Sequence, residues 1–157
     1  MPKKSLKNKS DFLASEVISL SKDNLRECLE LDNLTLKGFW SKSQWEQELD
    51  SASSICIAIK NEFKIIALAC GAIAAEKLDI TFVAVHPMFQ RYGHGKEVVA
   101  YLLQKAKEQK ARDAILEVRS NNIAAITLYK SLGFMQVSIR ENYYRDSSDA
   151  LVFLTAL

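Results

Sequence analysis

Histidine is almost missing from this chain, with only His86 and His94 in 157 residues. The two form no H-x-x-x-H pair and join no Cys/His cluster, so no metal site is expected. Cysteine is scarce as well. Cys28, Cys56 and Cys70 cannot pair completely, show no C-x-x-C spacing and sit among apolar neighbours. Buried, reduced thiols in a reducing compartment are the simplest reading. Long apolar runs are absent too. The most apolar stretch, residues 65–75, falls far short of the roughly 20 residues that cross a bilayer and reads as a strand. The early lysines are not followed by an apolar segment of secretory type, so a cytoplasmic protein that engages no membrane is expected.

A strong charge of one sign is also lacking. The formal net charge is +2, but Lys3, Lys4, Lys7 and Lys9 supply more than that. Without them the acids outnumber the bases. With no basic stretch interleaved with aromatics, direct nucleic-acid binding is not expected. Residues 1–12 read as a basic, flexible tail and residues 13–157 as one domain. Apolar residues make up 48% and charged residues 25%, an ordinary balance for a chain that can bury a core without staples.

What is present is an alternation of strand and helix signals. Val17, Ile18 and Leu20 suggest a first strand. Residues 21–23 offer N-cap chemistry for a helix carrying Leu25, Leu29, Leu31 and Leu34, ended by Gly38. Ser41 can cap a second helix with Trp45 and Leu49. Residues 54–60 and 63–74, joined by Asn61-Glu62, carry a hairpin signal. Residues 79–85 form another strand, stopped by His86-Pro87. Residues 93–110 make the strongest helix, with Val98, Val99, Leu102, Leu103 and Ala106 on one face. A strand at 114–119 follows, then a helix capped by Asn122 with Ala125, Leu128, Tyr129 and Leu132 as its stripe. Gly133 stands at its C′ position. Strands near 134–139 and 150–155 close the chain. The order β-α-α-β-β-β-α-β-α-β-β predicts a mixed α/β sheet with helices packed against it.

The most informative stretch runs from Val83 to Lys96, a strand end, a turn, then Gly93 and Gly95 opening the amphipathic helix. Helix-opening amides lack intrahelical acceptors and lie at the positive end of the macrodipole. Glycine lets backbone approach an anion closely, so the turn suits a pyrophosphate, with Arg91 and Lys96 adding charge. A plain strand-to-helix turn reads equally well from the residues alone. A Walker loop is excluded, because Gln90 stands at its first glycine and Glu97 follows Lys96. The dinucleotide fingerprint is excluded by Val98 at its third glycine.

Gln90-Arg-Tyr-Gly-His-Gly95 resembles the Q/R-x-x-G-x-G/A element of the GNAT acetyltransferases. Leu116-Glu-Val-Arg119, Asn122-Ile-Ala-Ala-Ile-Thr-Leu-Tyr129 and Leu132-Gly-Phe134 resemble the second half of that superfamily's signature. With Arg140-Glu-Asn-Tyr-Tyr144, the chain is most similar to bacterial RimI-type N-alanine acetyltransferases of ribosomal protein. The resemblance implies the GNAT fold, a mixed, mostly antiparallel sheet with helices on both faces. It also implies acetyl-CoA as co-substrate, no metal, and a protein N-terminus as acceptor, with the N-terminal alanine of a small-subunit ribosomal protein first in line.

By that resemblance, Arg91, Tyr92, Gly93, His94, Gly95 and Lys96 hold the pyrophosphate. The backbone of Val83, Ala84 and Val85 meets the pantetheine arm and the thioester oxygen. Asn122 reaches the cofactor too, although helix capping explains it equally well. Glu117 is the implied base; taken alone it reads as a solvent-facing strand residue within pairing reach of Arg119. Tyr129 is the implied acid; taken alone it packs on an apolar stripe. Trp40, in Phe39-Trp40-Ser41 where the family has Pro-Trp-Ser, would border the acceptor groove with Tyr143 and Tyr144, or serve in the core. Turnover of a small-molecule amine and a non-catalytic acyl-CoA-binding module are the alternative readings.

Overall fold

The computed structural model describes residues 15–157, so the basic tail expected at 1–12 lies outside the described residues. The first helices begin where side chains can satisfy their opening amides. Ser21 caps a short 3-10 turn, Lys22–Asn24, that leads into α1 (Leu25–Leu36). Ser41 and Gln44 close a capping box at α2 (Lys42–Asp50), each side chain satisfying a backbone N–H of the other. Leu34, expected among the apolar contacts of α1, is 55% exposed. The buried face of α1 is Cys28, Leu31 and Asp32, and the helical period turns Leu34 away from that stripe.

The strands are β1 (Glu16–Ser19), β2 (Ser54–Lys60), β3 (Ile65–Ala74), β4 (Lys77–Val85), β5 (Asp113–Arg119), β6 (Met135–Arg140) and β7 (Ala150–Ala156). Helices α3 (His94–Glu108) and α4 (Ile123–Ser131) complete the order expected from the sequence. The β2–β3 hairpin is shorter than the apolar pattern implies. The Asn61 side chain accepts from the Phe63 and Lys64 amides at 3.0 and 2.9 Å, a local turn that competes with the ladder. Phe63 is left 79% exposed.

The sheet runs β1-β2-β3-β4-β5-β7-β6 and is antiparallel at every join except β4–β5. One core joins α3 and α4 to one face, through Ile57, Ile66, Leu78, Val98, Val99, Leu102, Leu116 and Phe153. The other joins α1 and α2 to the opposite face, through Cys28, Leu31, Trp45, Ala58, Leu68 and Phe82. Strands β2 and β3 feed both cores, which explains their nearly continuous apolar runs. All three cysteines are buried and free. No helix of the described residues is long and apolar enough to cross a membrane.

The central irregularity lies in β4. Cys70 pairs with Phe82 but Gly71 pairs with Ile80, leaving Thr81 as a bulge. An extra residue shifts the alternation of everything after it. Leu78 and Ile80 therefore face the α3 core, while Phe82 and Ala84 face the α1–α2 core. Pairing of β4 with β5 stops at Ile80↔Leu116, one residue before the bulge. Beyond it the strands part, and β4 keeps a ladder partner on its β3 edge alone.

Gly71 permits this bend. A Cβ there would lie 2.7 Å from Leu78 Cδ1 and 2.9 Å from the Asp79 carbonyl oxygen. The backbone oxygen cannot move aside, so Gly71→Ala should cost roughly 1–3 kcal/mol by overpacking. A denaturant midpoint equal to wild type would show that the strand crossing tolerates the added methyl group.

Candidate active site

Past the Ile80↔Leu116 pair β4 and β5 share no further ladder, and the gap between their ends is the candidate cleft. Val83, Ala84 and Val85 lie on the diverging part of β4, past the last β5 pair. The Gln90 side-chain amide donates to the Val85 carbonyl at 3.3 Å. His86 then ends the strand: its Nδ1 accepts from the Met88 amide at 3.1 Å, capping the 3-10 turn Pro87–Phe89.

The turn into α3 contains two left-handed residues, Arg91 at φ 67° and Gly93 at φ 85°. The backbone thus doubles back before the helix, and only glycine adopts such a φ without cost. The first ladder bond runs from Glu97 N–H to the Gly93 carbonyl at 3.0 Å, so the opening amides precede the ladder. Nothing lies within 4 Å of a Cβ built on Gly93, and this open space fits an anion approaching the helix end. Arg91, Tyr92, Gly93 and Lys96 are exposed around it. His94 differs. Its ring is buried, 3.3 Å from the Glu97 carboxylate and edge-on to Phe89, leaving its backbone as the part that could reach a phosphate. Gly95 is buried as well, and a Cβ there would meet Leu128 Cδ1 at 2.9 Å. Its small size serves helix packing as much as phosphate approach.

Glu117 lies on β5 between Leu116 and Val118, which belong to the α3–α4 core. Its carboxylate consequently emerges on the opposite face, the α1–α2 side of the sheet. It is 29% exposed and pairs with Arg140 of β6, Nε to Oε1 at 3.1 Å. Arg119, the partner suggested by sequence proximity, turns elsewhere: it binds Asp146 and Ser148 at 2.7 to 3.0 Å. Strand alternation puts Glu117 and Arg119 on the same face, but Arg140 arrives from a strand that local sequence does not connect to β5.

These two arginines bring the tyrosine pair to the cleft. Tyr143 donates its hydroxyl to Glu117, which together with the carboxylate charge pushes its phenol pKa up. The Arg140 guanidinium lies 5.4 Å from the Tyr143 ring centre, and that of Arg119 lies 4.0 Å from the Tyr144 ring, within cation–π range. Ser148 hydrogen bonds and Arg119 hold the Asp146 carboxyl down at about 2, so this anchor stays charged. Arg119, Arg140 and Asp146 were not singled out as site residues, although Arg140 opens the Arg-Glu-Asn-Tyr-Tyr run.

Tyr129 sits across the sheet from Glu117, within the α3–α4 core and edge-on to Phe134 at 5.8 Å. Burial pushes its phenol up to about 12. Asn122 accepts from the Ala125 amide at 3.2 Å, so its helix-cap role is realised. Trp40 is half-buried, 4.8 Å from Trp45 and 5.1 Å from Phe82 between ring centres. It therefore closes the α1–α2 core, on the sheet face from which Glu117 emerges. Among the described residues no group of His, Cys, Asp and Glu could hold a metal ion.

Asp32 was missed by sequence reasoning. It is fully buried and accepts from the Phe39 and Trp40 amides and the Trp45 indole at 2.7, 3.0 and 2.8 Å. The α1–α2 turn is tied down by this one carboxylate. The only sequence signal was an acid on the buried stripe of an amphipathic helix.

The geometry matches a known family. Residues 22–134 match the model of the Acetyltransferase (GNAT) family, and the chain belongs to it. It is 37% identical over 81 residues to the [Ribosomal protein bS18]-alanine N-acetyltransferase of Escherichia coli strain K12. That alignment covers 52% of this chain and 55% of the relative, so the chain spans about half the length of the curated relatives it matches. It is 27% identical over 135 residues to the N-alpha-acetyltransferase RimI of Mycobacterium tuberculosis, covering 82% and 84% of the two chains. Among solved structures, the ribosomal-protein-S18-alanine N-acetyltransferase from Escherichia coli superposes with a TM-score of 0.84 at 26% identity, covering 90% and 93%. Arabidopsis thaliana NAA60, solved in complex with acetyl-CoA, shares the fold at TM-score 0.81 and 13% identity.

Removing the Asp32 carboxylate would leave three buried N–H groups without their acceptor. Asp32→Ala should destabilise the protein by about 3 kcal/mol or more, read as a lowered denaturant midpoint. Asp32→Asn should recover only part, because its amide turns a donor toward donors. An unchanged midpoint in both variants would remove the clamp from the account of this site.

Proposed function

We propose that this chain transfers the acetyl group of acetyl-CoA to the N-terminal α-amine of a protein. The alanine terminus of a small-subunit ribosomal protein is the leading acceptor. The observation that carries the reading is the half-buried Glu117 carboxylate beside the cleft between β4 and β5, with the Gly93 turn opening α3 at the end of the same strand. The relatives named for N-terminal acetylation support the acceptor. The three free, buried thiols agree with work in a reducing cytoplasm.

Acetyl-CoA would bring an activated thioester, with a thiol as its leaving group. Gly93, Gly95 and Lys96 would offer opening-turn amides to the pyrophosphate, with charge from Arg91 and Lys96. Tyr92, His94 through its backbone, and Asn122 would complete that end. The backbone of Val83, Ala84 and Val85 would bind the pantetheine arm and the thioester oxygen along the parted edge of β4. Oriented amides there stabilise negative charge without reorganising.

Glu117 would take a proton from the amine. A peptide α-amine ionises near pH 8, so a useful fraction is already neutral at cytoplasmic pH. A lysine side chain near 10.4 would cost roughly 4 kcal/mol to deprotonate there. A carboxylate base therefore suits a terminus better. Trp40, Tyr143 and Tyr144 would line the acceptor side, close to Glu117.

Tyr129 would donate a hydrogen bond to the departing sulfur. With its phenol at about 12 and a thiol near 8.5, full proton transfer would be uphill by roughly 5 kcal/mol. Its role is donation rather than delivery.

Incubation with acetyl-CoA and an alanine-terminated peptide should add the mass of one acetyl group. An unmodified peptide beside an acetylated polyamine would reject the peptide acceptor in favour of a small-molecule amine. Glu117→Gln should lower kcat by about 10²- to 10⁴-fold, the range for a lost general base, while calorimetry shows unchanged CoA affinity. Equal turnover in that variant would remove Glu117 from the mechanism. Because burial raises the Tyr129 phenol, its donor form persists as pH rises. The kcat profile should show no alkaline fall from this group below about pH 11, and Tyr129→Phe should slow turnover across the whole range.

A further inference from the structure

Glu117 has an acidic neighbour that the reaction above does not use. Asp79 is an exposed acid in a β4 run that is otherwise mostly apolar, flanked by the buried Leu78 and Ile80. Those flanking residues face the α3 core, so Asp79 emerges on the α1–α2 side, the face that carries Glu117. Its register partner on β5 is Ile115, and Glu117 follows two residues later. Asp79 and Glu117 are therefore diagonal neighbours on adjacent strands, within reach of side-chain interaction. Pairing continues for one more residue and then the strands part, so the two acids stand at the closed end of the cleft.

The groups facing this pair come from two further segments. Arg140 of β6 binds Glu117 at 3.1 Å. Tyr143 of the β6–β7 loop donates to Glu117. One guanidinium thus faces two adjacent carboxylates, and a net negative charge is left over.

We propose that Asp79 is a second carboxylate of the acceptor site, sharing with Glu117 the proton that an incoming ammonium gives up. This rests on the acetyl-transfer reading above. The leftover charge matches one ammonium, and adding one proton to two adjacent acids relieves their repulsion. In the step itself an ammonium N–H bond breaks and its proton passes to the pair. The freed lone pair attacks the thioester carbonyl carbon. As the C–N bond forms and the C–S bond breaks, a second amine proton passes to the departing sulfur. The pair then returns its proton to water, so one proton is released per turnover. Burial and the Glu117 charge push the Asp79 carboxyl up, and Arg140 pulls it back, the direction that favours holding a proton.

The experiment has two arms on the full chain. In the first, wild type, Asp79→Asn, Asp79→Glu and Glu117→Gln are assayed with acetyl-CoA and an alanine-terminated peptide from pH 5 to 9. Asp79→Asn should lower kcat roughly 10-fold, within the reach of general-base effects. The acidic limb of its kcat/KM profile should move to lower pH, because the remaining carboxylate loses an anionic neighbour, and Asp79→Glu should restore much of both. In the second arm, carboxyl carbon NMR follows Asp79 in the resting protein, where Glu117→Gln should shift its titration downward. Wild-type turnover together with an unmoved limb and kcat in Asp79→Asn overturns this inference and leaves the acetyltransferase reading standing. An Asp79 titration indifferent to Glu117→Gln overturns it whatever the turnover. Failure of wild type to acetylate any peptide or amine overturns the reading on which it rests.

Discussion

A parallel pair of strands that stays together for four residues and then separates is the constraint on which this molecule depends. Two neighbouring strands normally satisfy each other along their length, and unpaired backbone is costly unless something else binds it. Here the separation is built in. Thr81 bulges, Gly71 admits the close crossing, and the bulge reverses which side chains of β4 meet which core. Each half of β4 is thereby anchored by a different set of helices. The strand cannot slide back into register with β5 without pulling Phe82 and Ala84 out of the α1–α2 core. Apolar burial thus keeps backbone donors and acceptors available in the cleft.

Charge adds to apolar packing on both sides of the cleft, and the two sides use different physics. On the α1–α2 side, Asp32 is fully buried and bound by three N–H groups. Its energy is that of desolvated, charge-assisted hydrogen bonds. On the β6–β7 side, Arg119 and Arg140 work near the surface, where solvent weakens each pair. They compensate by doing several things at once. Arg119 binds Asp146 and Ser148 while covering the Tyr144 ring, and Arg140 binds Glu117 close to Tyr143. A fully buried clamp on one side thus faces solvent-exposed ion pairs on the other.

Much of the fold was legible in the sequence because its signals are local. Ser41, Asn122 and the apolar stripe of α3 announce their helices within a few residues, and the element order follows from them. The Gly93–Lys96 turn was legible for the same reason, since its shape is carried by consecutive backbone units. What could not be read depends on register between distant strands. Arg140 meets Glu117 across a sheet in which β7 lies between their strands, and no spacing in the chain encodes that meeting. The nearer Arg119 was the natural guess and binds Asp146 instead. His94 shows the opposite limit. Its place in the Gln90–Gly95 motif was plain, but burial of its ring against Phe89 and Glu97 depends on how the turn packs.

The same sheet separates the two proton tasks of the proposed reaction. Glu117 emerges on the α1–α2 face and Tyr129 is buried with the α3–α4 core. If the two shared one face, their opposite preferences would be harder to maintain. A carboxylate that must take up a proton and then pass it on needs an outlet to water, and the partial exposure of Glu117 supplies one. A phenol that must keep its proton works best in dry surroundings, and burial alone carries Tyr129 to about 12. Where the two are in contact, as with Tyr143 and Glu117, the phenol is bound to the base and follows its charge. Splitting donor and base across a strand lets each environment be set independently. The thioester, entering between the parted strands, would be the one group that meets both. Proton direction across the cleft then follows from burial on one side and compensated charge on the other, with no group asked to serve both ends.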